Sequence, residues 1–588
     1  MGKIYKYGLK ELSACDSLSD IAALLEVKPQ FLSKIIYKMD DESKYSKFEI
    51  PKKNGGVREI CAPTSSLEFM QSRLSRLLYQ CYFDIYGAPQ TPFRVLSHGF
   101  QRDRGLSIFT NAARHTSKRY VLNIDLENFF PSLNFGRVRG FFLKNRNFQL
   151  GDKAATAVAQ LACFENSLPQ GAPSSPIISE FLTQPLDIAL QSLARKYRCT
   201  YSRYADDITF STNLRQFPSK LAFQFPVPEI WVASPHLENN ISRYGFQINK
   251  KKTRMQSGSQ WKSVTNLTVN EHVNIKKEYY KGARYCAHAM MTKGEAIAKN
   301  KLNLGYDKLS SDQIWGKLRH ICHIKGMSEA ALPLRQYTKI NPAPHYLRLA
   351  GDYFHYHRIH LSPKPLIICE GKTDYTYLKE AIHWHTKDKR IAENFINLLI
   401  PPTRSGKISK ENRWKVDFVK HSATSDHLLD LSGGGGNLVK FCTRHLERVP
   451  RFHSLNSPKS RPVLVIVDND SQSRGMWSFV SKTTNTKTVD GSEPYYQLSE
   501  DLYVIPIPKP AGKTGNIYIE HLFPDSWLNY ELNGRKLKLD QAKNEKLKST
   551  EYGKGEFSEK VIRANRGKVD CSAFKPLLDT ICDIIEGK

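Results

Sequence analysis

The stretch CTYSRYADDITFST, residues 199–212, restricts what this chain can fold into more than any other. Two aspartates, Asp206 and Asp207, stand side by side in a run whose Tyr, Thr, Ile and Phe favour β-strand. Adjacent carboxylates repel, and burying one without a partner is costly. A surface turn accounts for Asp-Asp alone, but not for its apolar frame of Tyr204-Ala205 and Ile208-Thr209-Phe210. The stretch therefore predicts two strands meeting in a tight turn at the acids. VLNIDLENFF, residues 121–130, predicts a buried strand running into a helix start and carrying a third carboxylate, Asp125. If these strands are neighbours in one sheet, the three acids converge and need cations among them.

Mg2+ suits that demand, because it takes hard oxygen ligands and is usually held by one or two carboxylates plus substrate phosphates. Two such ions about 4 Å apart can activate an attacking 3′-hydroxyl and stabilise leaving pyrophosphate. The chemistry expected of Asp125, Asp206 and Asp207 is therefore nucleotidyl transfer.

The same logic recurs later in the chain. LIICEGKTDYTYL and VLVIVDNDSQS are apolar strands ending in acids, as at the carboxyl edge of a parallel sheet, where α/β sites lie. Glu370 on the first and Asp468 and Asp470 on the second form a candidate second Mg2+ site. Glu370 would act there as acid/base or as a further ligand. Asp468 and Asp470 are two apart and share a side while strand geometry persists.

A chain of 588 residues is too long for one core, so two or more domains are expected. Its formal charge of +30 points to a polyanionic partner, most often nucleic acid. KKKTR, residues 250–254, is a basic strip suited to backbone phosphates. The amino terminus lacks the apolar region of a secretory signal, and no run reaches the roughly 18 apolar residues of a membrane helix. Eleven scattered cysteines without a C-x-x-C pair read as core thiols of a reducing cytosol. HYHRIH, residues 355–360, lacks a cysteine or carboxylate at ligand spacing and is not read as a metal site. GKT occurs at 371–373 and 512–514, but Leu366 and Ile507 stand where a P-loop needs glycine, so no ATP site is expected.

Periodicity predicts short helices over residues 9–40, with Leu12, Ile21, Leu24, Leu25, Phe31 and Ile35 as apolar positions. FEIPKKNGGVREICAP predicts a hairpin with a basic tip, and residues 67–82 a helix. SPIISEFLTQPLDIALQSLARKY predicts a long helix after a Pro/Gly loop. The pattern turns helical and basic after about 275, and the proline-bearing segment near 345–363 reads as the main boundary. The expected division is 1–345, a connector at 346–362, and 363–588.

Together these boxes resemble reverse transcriptases. YADD at 204–207 looks like their catalytic box, and NIDLENFFPSL like the box bearing the first metal-binding aspartate. LPQGAPSSP, residues 168–176, resembles the loop that lies against the incoming nucleotide, and VREICAP, residues 57–63, the fingers strand. Asn111-Ala112 with His115 is similar to the N-A-x-x-H signature of bacterial retron reverse transcriptases. VTNLTVN, residues 264–270, resembles their V-T-G box, with Asn266 where glycine is usual. The resemblance covers about residues 10–330 and implies a right-hand polymerase of fingers, palm and thumb. It further implies Mg2+ on Asp125, Asp206 and Asp207, and Arg58, with Lys52 or Lys53, on the triphosphate. Gln170 and Gly171 would pack along the nucleotide, and Phe130 would sit where an aromatic gate excludes a ribose 2′-hydroxyl, although a core phenylalanine is an equal reading. The implied partners are dNTPs, a cognate structured non-coding RNA and its branched multicopy single-stranded DNA, in a bacterial cytoplasm.

Residues 363–588 resemble the TOPRIM domain, an α/β fold with a central parallel sheet. The EGKTD wording, which adds Asp374, is closest to the overcoming-lysogenization-defect nuclease branch. SGGGGN at 432–437, IEHLFP at 519–524 and EYGKGEFSEKVI also look like that branch, with Lys554 as its late lysine near the scissile phosphate. The long interval between Glu370 and Asp468 predicts an insertion around 385–425. The resemblance implies a Mg2+-dependent nuclease acting as an effector in anti-phage defence, or a non-cleaving nucleic-acid-binding module.

Overall fold

The computed structural model describes residues 6–51, 56–87, 96–102, 104–225, 230–299, 305–330, 344–385, 391, 394–395, 414–431, 435–452, 461–539 and 547–588. Lys52, Lys53, most of the expected insertion and Ser432–Gly434 of the glycine turn lie outside them. The chain packs as two compact units. The first comprises Met1–Tyr280 with Lys299–Asp307 and Met327–Glu329; the second comprises Lys281–Ala298, Lys308–Gly326 and Ala330–Lys588.

In the first unit, the expected short helices are Leu9–Ser13, Leu18–Leu24 and Pro29–Ser33. Leu12, Ile21, Leu24, Leu25 and Ile35 are buried as their spacing predicts, whereas Phe31 is left 38% exposed. The basic hairpin is β1 (Tyr45–Pro51) and β2 (Val57–Pro63), antiparallel with Ile50 opposite Arg58. Helix α1 (Ser65–Tyr86) follows, buried through Leu67, Met70, Leu74, Leu77 and Leu78. Next come α2 (Ile108–Ala113), β3 (Tyr120–Glu127) and the long helix α3 (Ser175–Lys196). Then follow β4 (Thr200–Tyr204), β5 (Asp207–Thr212), β6 (Gln247–Ile248) and β7 (Arg254–Ser257).

These strands form one antiparallel sheet in the order β4-β5-β3-β6, with β7 pairing the first half of β3. Val121, Leu122, Ile124 and Leu126 of β3 are buried, and Leu122, Ile124 and Leu126 belong to one core with α1 and α3. A short hairpin, β8 (Ser263–Val264) and β9 (Leu267–Thr268), follows. Its turn residues Thr265 and Asn266 lie at φ 46° and 65°. Asparagine is among the side chains that tolerate this left-handed region, which explains how Asn266 replaces glycine there. Thr265 Oγ1 donates to the Ile108 carbonyl at 3.1 Å, tying the hairpin to α2.

His115, two residues beyond α2, is wholly buried with its ring nitrogens 2.7 Å from the hydroxyls of Ser211 and Ser202. Burial, helped by Arg114, pushes its pKa down to about 3. The folded value lies below the ordinary one near 6.5, so the unfolded chain takes up the proton first on acidification. Stability should therefore fall from about pH 6.5 downward and level off only near pH 3. His115 alone should cost about 2 kcal/mol by about pH 5. Urea titrations at neutral and acid pH measure this, and His115→Gln should flatten the dependence.

In the second unit, helices α4 (Lys277–Lys293, from Lys281), α5 (Ser311–Ala330, up to Gly326) and α6 (His345–His355) precede a parallel sheet. The segment expected as a connector, 346–362, is mostly helical, and Phe354 and Ile359 pack in a core of this unit. The sheet is built from β10 (Leu366–Cys369), β11 (Asp417–Phe418), β12 (Val463–Val467), β13 (Tyr496–Gln497) and β14 (Leu502–Pro506). Helices α7 (Asp374–Trp384), α8 (Gly435–Arg448), α9 (Arg474–Thr484) and α10 (Lys575–Glu586) cover it. The order is β11-β10-β12-β14-β13, parallel except for the edge strand β13.

Alternate side chains enter different cores. Ile367, Leu464 and Ile466 join one with α7 and α10, while Ile368, Val463 and Val465 join the other with α8 and α9. Burial on both faces is why these strands are uninterrupted apolar runs. All eleven cysteines are free thiols. Among the described residues, no helix is long and apolar enough to cross a membrane.

Candidate active site

Asp125 lies directly opposite Asp207 in the β3–β5 register, and the Leu126 amide donates to the Asp206 carbonyl at 3.0 Å. The three acids of the sequence reading therefore meet at one point of the sheet. The β4–β5 turn sets Tyr204 opposite Asp207, with Ala205 left-handed at φ 55°. Gly99 closes over this turn: a Cβ there would lie 2.6 Å from the Ala205 nitrogen, so only glycine fits.

Burial and the neighbouring Asp125 push the Asp206 carboxyl above the usual carboxylate range. Burial, Asp206 and Asp125 push Asp207 up to about 7, although its outer side is exposed and water screens part of the repulsion. Mutually repelling carboxylates of this kind suit divalent cations. Among the described residues no three His, Cys, Asp or Glu side chains form a ready-made metal cage. Mg2+ shared between carboxylates and substrate phosphates requires none. Lys252 donates to both Asp125 oxygens at 2.9 Å and supplies the local positive charge. It was legible only as part of a phosphate-binding strip; pairing of β3 with β6 and β7 brings it onto the aspartate.

Arg58 is exposed on β2, and its charge acts to lower the Asp206 pKa. The Cys61 amide donates to the Gln170 carbonyl at 2.9 Å, so the 168–176 loop lies against the same strand. Gly171 has φ 123°, and a Cβ there would lie 2.8 Å from the Cys61 carbonyl oxygen. Phe130 is half-buried, its ring 5.3 Å from Phe129 and 6.0 Å from Phe100.

Beneath the turn is a group that sequence reasoning missed. Arg203 is fully buried and pairs with Asp187 of α3 through two 2.7 Å bonds and with Glu180 at 3.2 and 3.4 Å. It also donates to the Ala205 carbonyl at 2.9 Å and to Thr183 Oγ1 at 2.8 Å. Tyr201 donates to Asp187 at 2.6 Å. Burial pushes the Glu180 carboxyl up against the pull of Arg203, because Asp187 takes the shorter, bidentate bonds. The acids 16 and 23 residues before Arg203 look like ordinary helix surface in the sequence.

The second unit assembles another carboxylate cluster. Glu370 follows β10 and Asp468 follows β12, neighbouring parallel strands, and the Asp468 amide donates to Glu370 Oε2 at 3.2 Å. Asp374 opens α7, buried, and accepts from the Gly371 amide at 2.7 Å. Burial, Asp374 and Glu370 push Asp468 well above the carboxylate range. Lys554 donates to Glu520 at 3.0 Å and sits 4.5 Å over the Tyr518 ring. Its charge also acts on Asp374 and Asp468. Glu520, fully buried, lies in the IEHLFP segment but carries no signal of its own in the sequence. Asp470 is used differently: its Oδ1 accepts from the Gln472 and Ser473 amides at 2.9 and 3.0 Å and from the Ser473 hydroxyl, capping a short 3-10 turn.

Residues 50–271 match the family model described as reverse transcriptase (RNA-dependent DNA polymerase). The chain is 32% identical to the retron Mx65 reverse transcriptase of Myxococcus xanthus over 252 residues, 40% of this chain and 53% of that protein. It is 29% identical to the retron Ec86 reverse transcriptase of Escherichia coli over 280 residues, 47% of this chain and 79% of that protein. The retron Mx162 enzyme of M. xanthus is 31% identical over 45% of this chain and 54% of its own length. The chain thus spans about half the length of the Myxococcus relatives it matches. Among solved structures, a Candida albicans telomerase in complex with a telomeric RNA fragment aligns with a TM-score of 0.30, 11% identity and coverage of 53% of this chain and 63% of that one. That likeness is too weak to specify anything further. Residues 50–271 of the first unit therefore match a reverse transcriptase family model, and the curated relatives they are similar to are bacterial retron reverse transcriptases.

Proposed function

We propose that the first unit is an RNA-directed DNA polymerase that copies a structured non-coding RNA into branched multicopy single-stranded DNA, starting from a guanosine 2′-hydroxyl. The observation that carries this reading is the convergence of Asp125, Asp206 and Asp207 at the β4–β5 turn, with Arg58 on the β2 strand against which the Gln170-Gly171 loop lies. Asp125, Asp206 and Asp207 would hold Mg2+, which supplies charge neutralisation for the attacking hydroxyl and the leaving pyrophosphate. Arg58 would pair with the triphosphate, Gly171 would let the backbone approach the nucleotide closely, and Phe130 would border the sugar. The test is primer extension on a structured RNA with Mg2+ and dNTPs. No product from the wild-type protein would sink the proposal.

For the second unit we infer a TOPRIM-like, Mg2+-dependent nuclease acting as the effector of an anti-phage system and restrained by the RNA–DNA product. Its support is the cluster of Glu370, Asp374, Asp468, Glu520 and Lys554 at the carboxyl edge of a parallel sheet. A second reading, a non-cleaving nucleic-acid-binding module, is favoured by the capping role of Asp470. Glu370→Gln separates them. Under the nuclease reading, cleavage of supplied nucleic acid or growth arrest on release should drop about a hundredfold or more. Equal behaviour of wild type and variant supports the binding module.

A further inference from the structure

The second unit contains a groove of about 1300 Å³ between α4, α6 and α8 that neither carboxylate site uses. It exceeds the roughly 300–1,000 Å³ usual for small-molecule pockets, and its walls carry many basic side chains. Along α8, Lys440, Arg444 and Arg448 recur every four residues on one face, and Arg451 follows in the next turn. Like charges at that spacing destabilise a helix, so the stripe calls for outside negative charge. The protein supplies only part of it. Arg448 pairs with Asp352 at 2.7 Å and Arg444 with Asp430. Lys440, Arg451, Arg348 on α6, and Lys281 and Arg284 on α4 have no ion pair among the described residues. Beside the α4 cations stands Tyr285, 63% exposed and lining the groove.

We propose that this groove binds the phosphate backbone of a nucleic-acid strand, with Lys440 and Arg451 on one wall, Lys281 and Arg284 on another, and Tyr285 stacking a base. A basic channel with an interleaved aromatic ring is the arrangement that tracks a strand without reading its sequence. None of these residues belongs to either carboxylate cluster, so the groove is a separate binding site, and it does not depend on the second unit being a nuclease.

The test uses the full chain, with Lys440→Ala/Arg451→Ala as the variant. Binding of a short fluorescein-labelled RNA, the same sequence as DNA, and an RNA–DNA duplex is followed by anisotropy across a salt series. Loss of two phosphate contacts should make the slope of log K against log salt shallower by about 1.4 for a single strand and about 1.8 for a duplex. At low salt the affinity should fall about tenfold or more. The probe that loses most identifies the strand type. Lys440→Arg/Arg451→Lys should keep affinity and slope, because charge rather than packing is at issue. Extension of a pre-annealed primer–template by the alanine variant should be unchanged, so failure of the polymerase reading would show in the wild type alone. Unchanged affinity and slope in the alanine variant, or equal loss in the charge-conserving one, overturns the proposal.

Discussion

Replacing Arg203 by methionine is expected to destabilise the first unit by about 3–5 kcal/mol, the cost of breaking a buried ion pair from one side. The guanidinium is fully buried and balances Asp187 and Glu180, which would be left without a counter-charge. Marginal stability means that a loss of this size removes a large share of the total. A denaturant titration of the full chain measures it. The same change removes the bond to the Ala205 carbonyl, which holds the turn presenting Asp206 and Asp207. Stability and turn support can be separated. Arg203→Met combined with Asp187→Leu and Glu180→Gln removes the orphaned charges, so much of the stability should return. Extension should stay low, because nothing replaces the bond to Ala205. Recovery of both properties would mean that Arg203 serves packing alone.

Asp207→Asn is expected to act in the opposite direction on stability. Primer extension should fall about a thousandfold or more, since several kcal/mol of charge stabilisation in the reaction depend on the carboxylates that would hold the metal. The metal-free protein should be as stable as wild type or more so. Burial, Asp206 and Asp125 all disfavour the charged form of Asp207, and the amide removes that repulsion. Asp125→Asn should lose extension equally but without the gain, because it also breaks the pair with Lys252. Thermal melting in EDTA and single-turnover extension in Mg2+ measure the two halves. A stable variant that extends normally would remove Asp207 from the site.

Much of the site could be read from residue order. The pair Asp206-Asp207 between apolar flanks predicted a turn joining two strands, and β4 and β5 meet there. The acid-ended apolar runs predicted a buried parallel sheet, and β10, β12 and β14 form one. Local signals sufficed because strand alternation and turn chemistry act over a few residues. Phe31 shows the limit of such reading. Its spacing matches the buried positions around it, yet the helical run continues to Lys38 and buries Leu32, Ile35 and Ile36, leaving Phe31 at the edge of that face.

The sequence by itself determined which carboxylates end strands, where the chain carries excess positive charge, and which segment resembles a reverse transcriptase. Only the tertiary structure decided what lies beside those carboxylates. Lys252 reaches Asp125 from 127 residues away, Arg203 is neutralised by a helix earlier in the chain, and Lys554 meets Glu520 across 34 residues. It also set the cations of α4, α6 and α8 around one groove. The physical reason is range. Propensity and alternation are local, whereas Coulomb attraction and burial depend on which distant segments the sheets bring together.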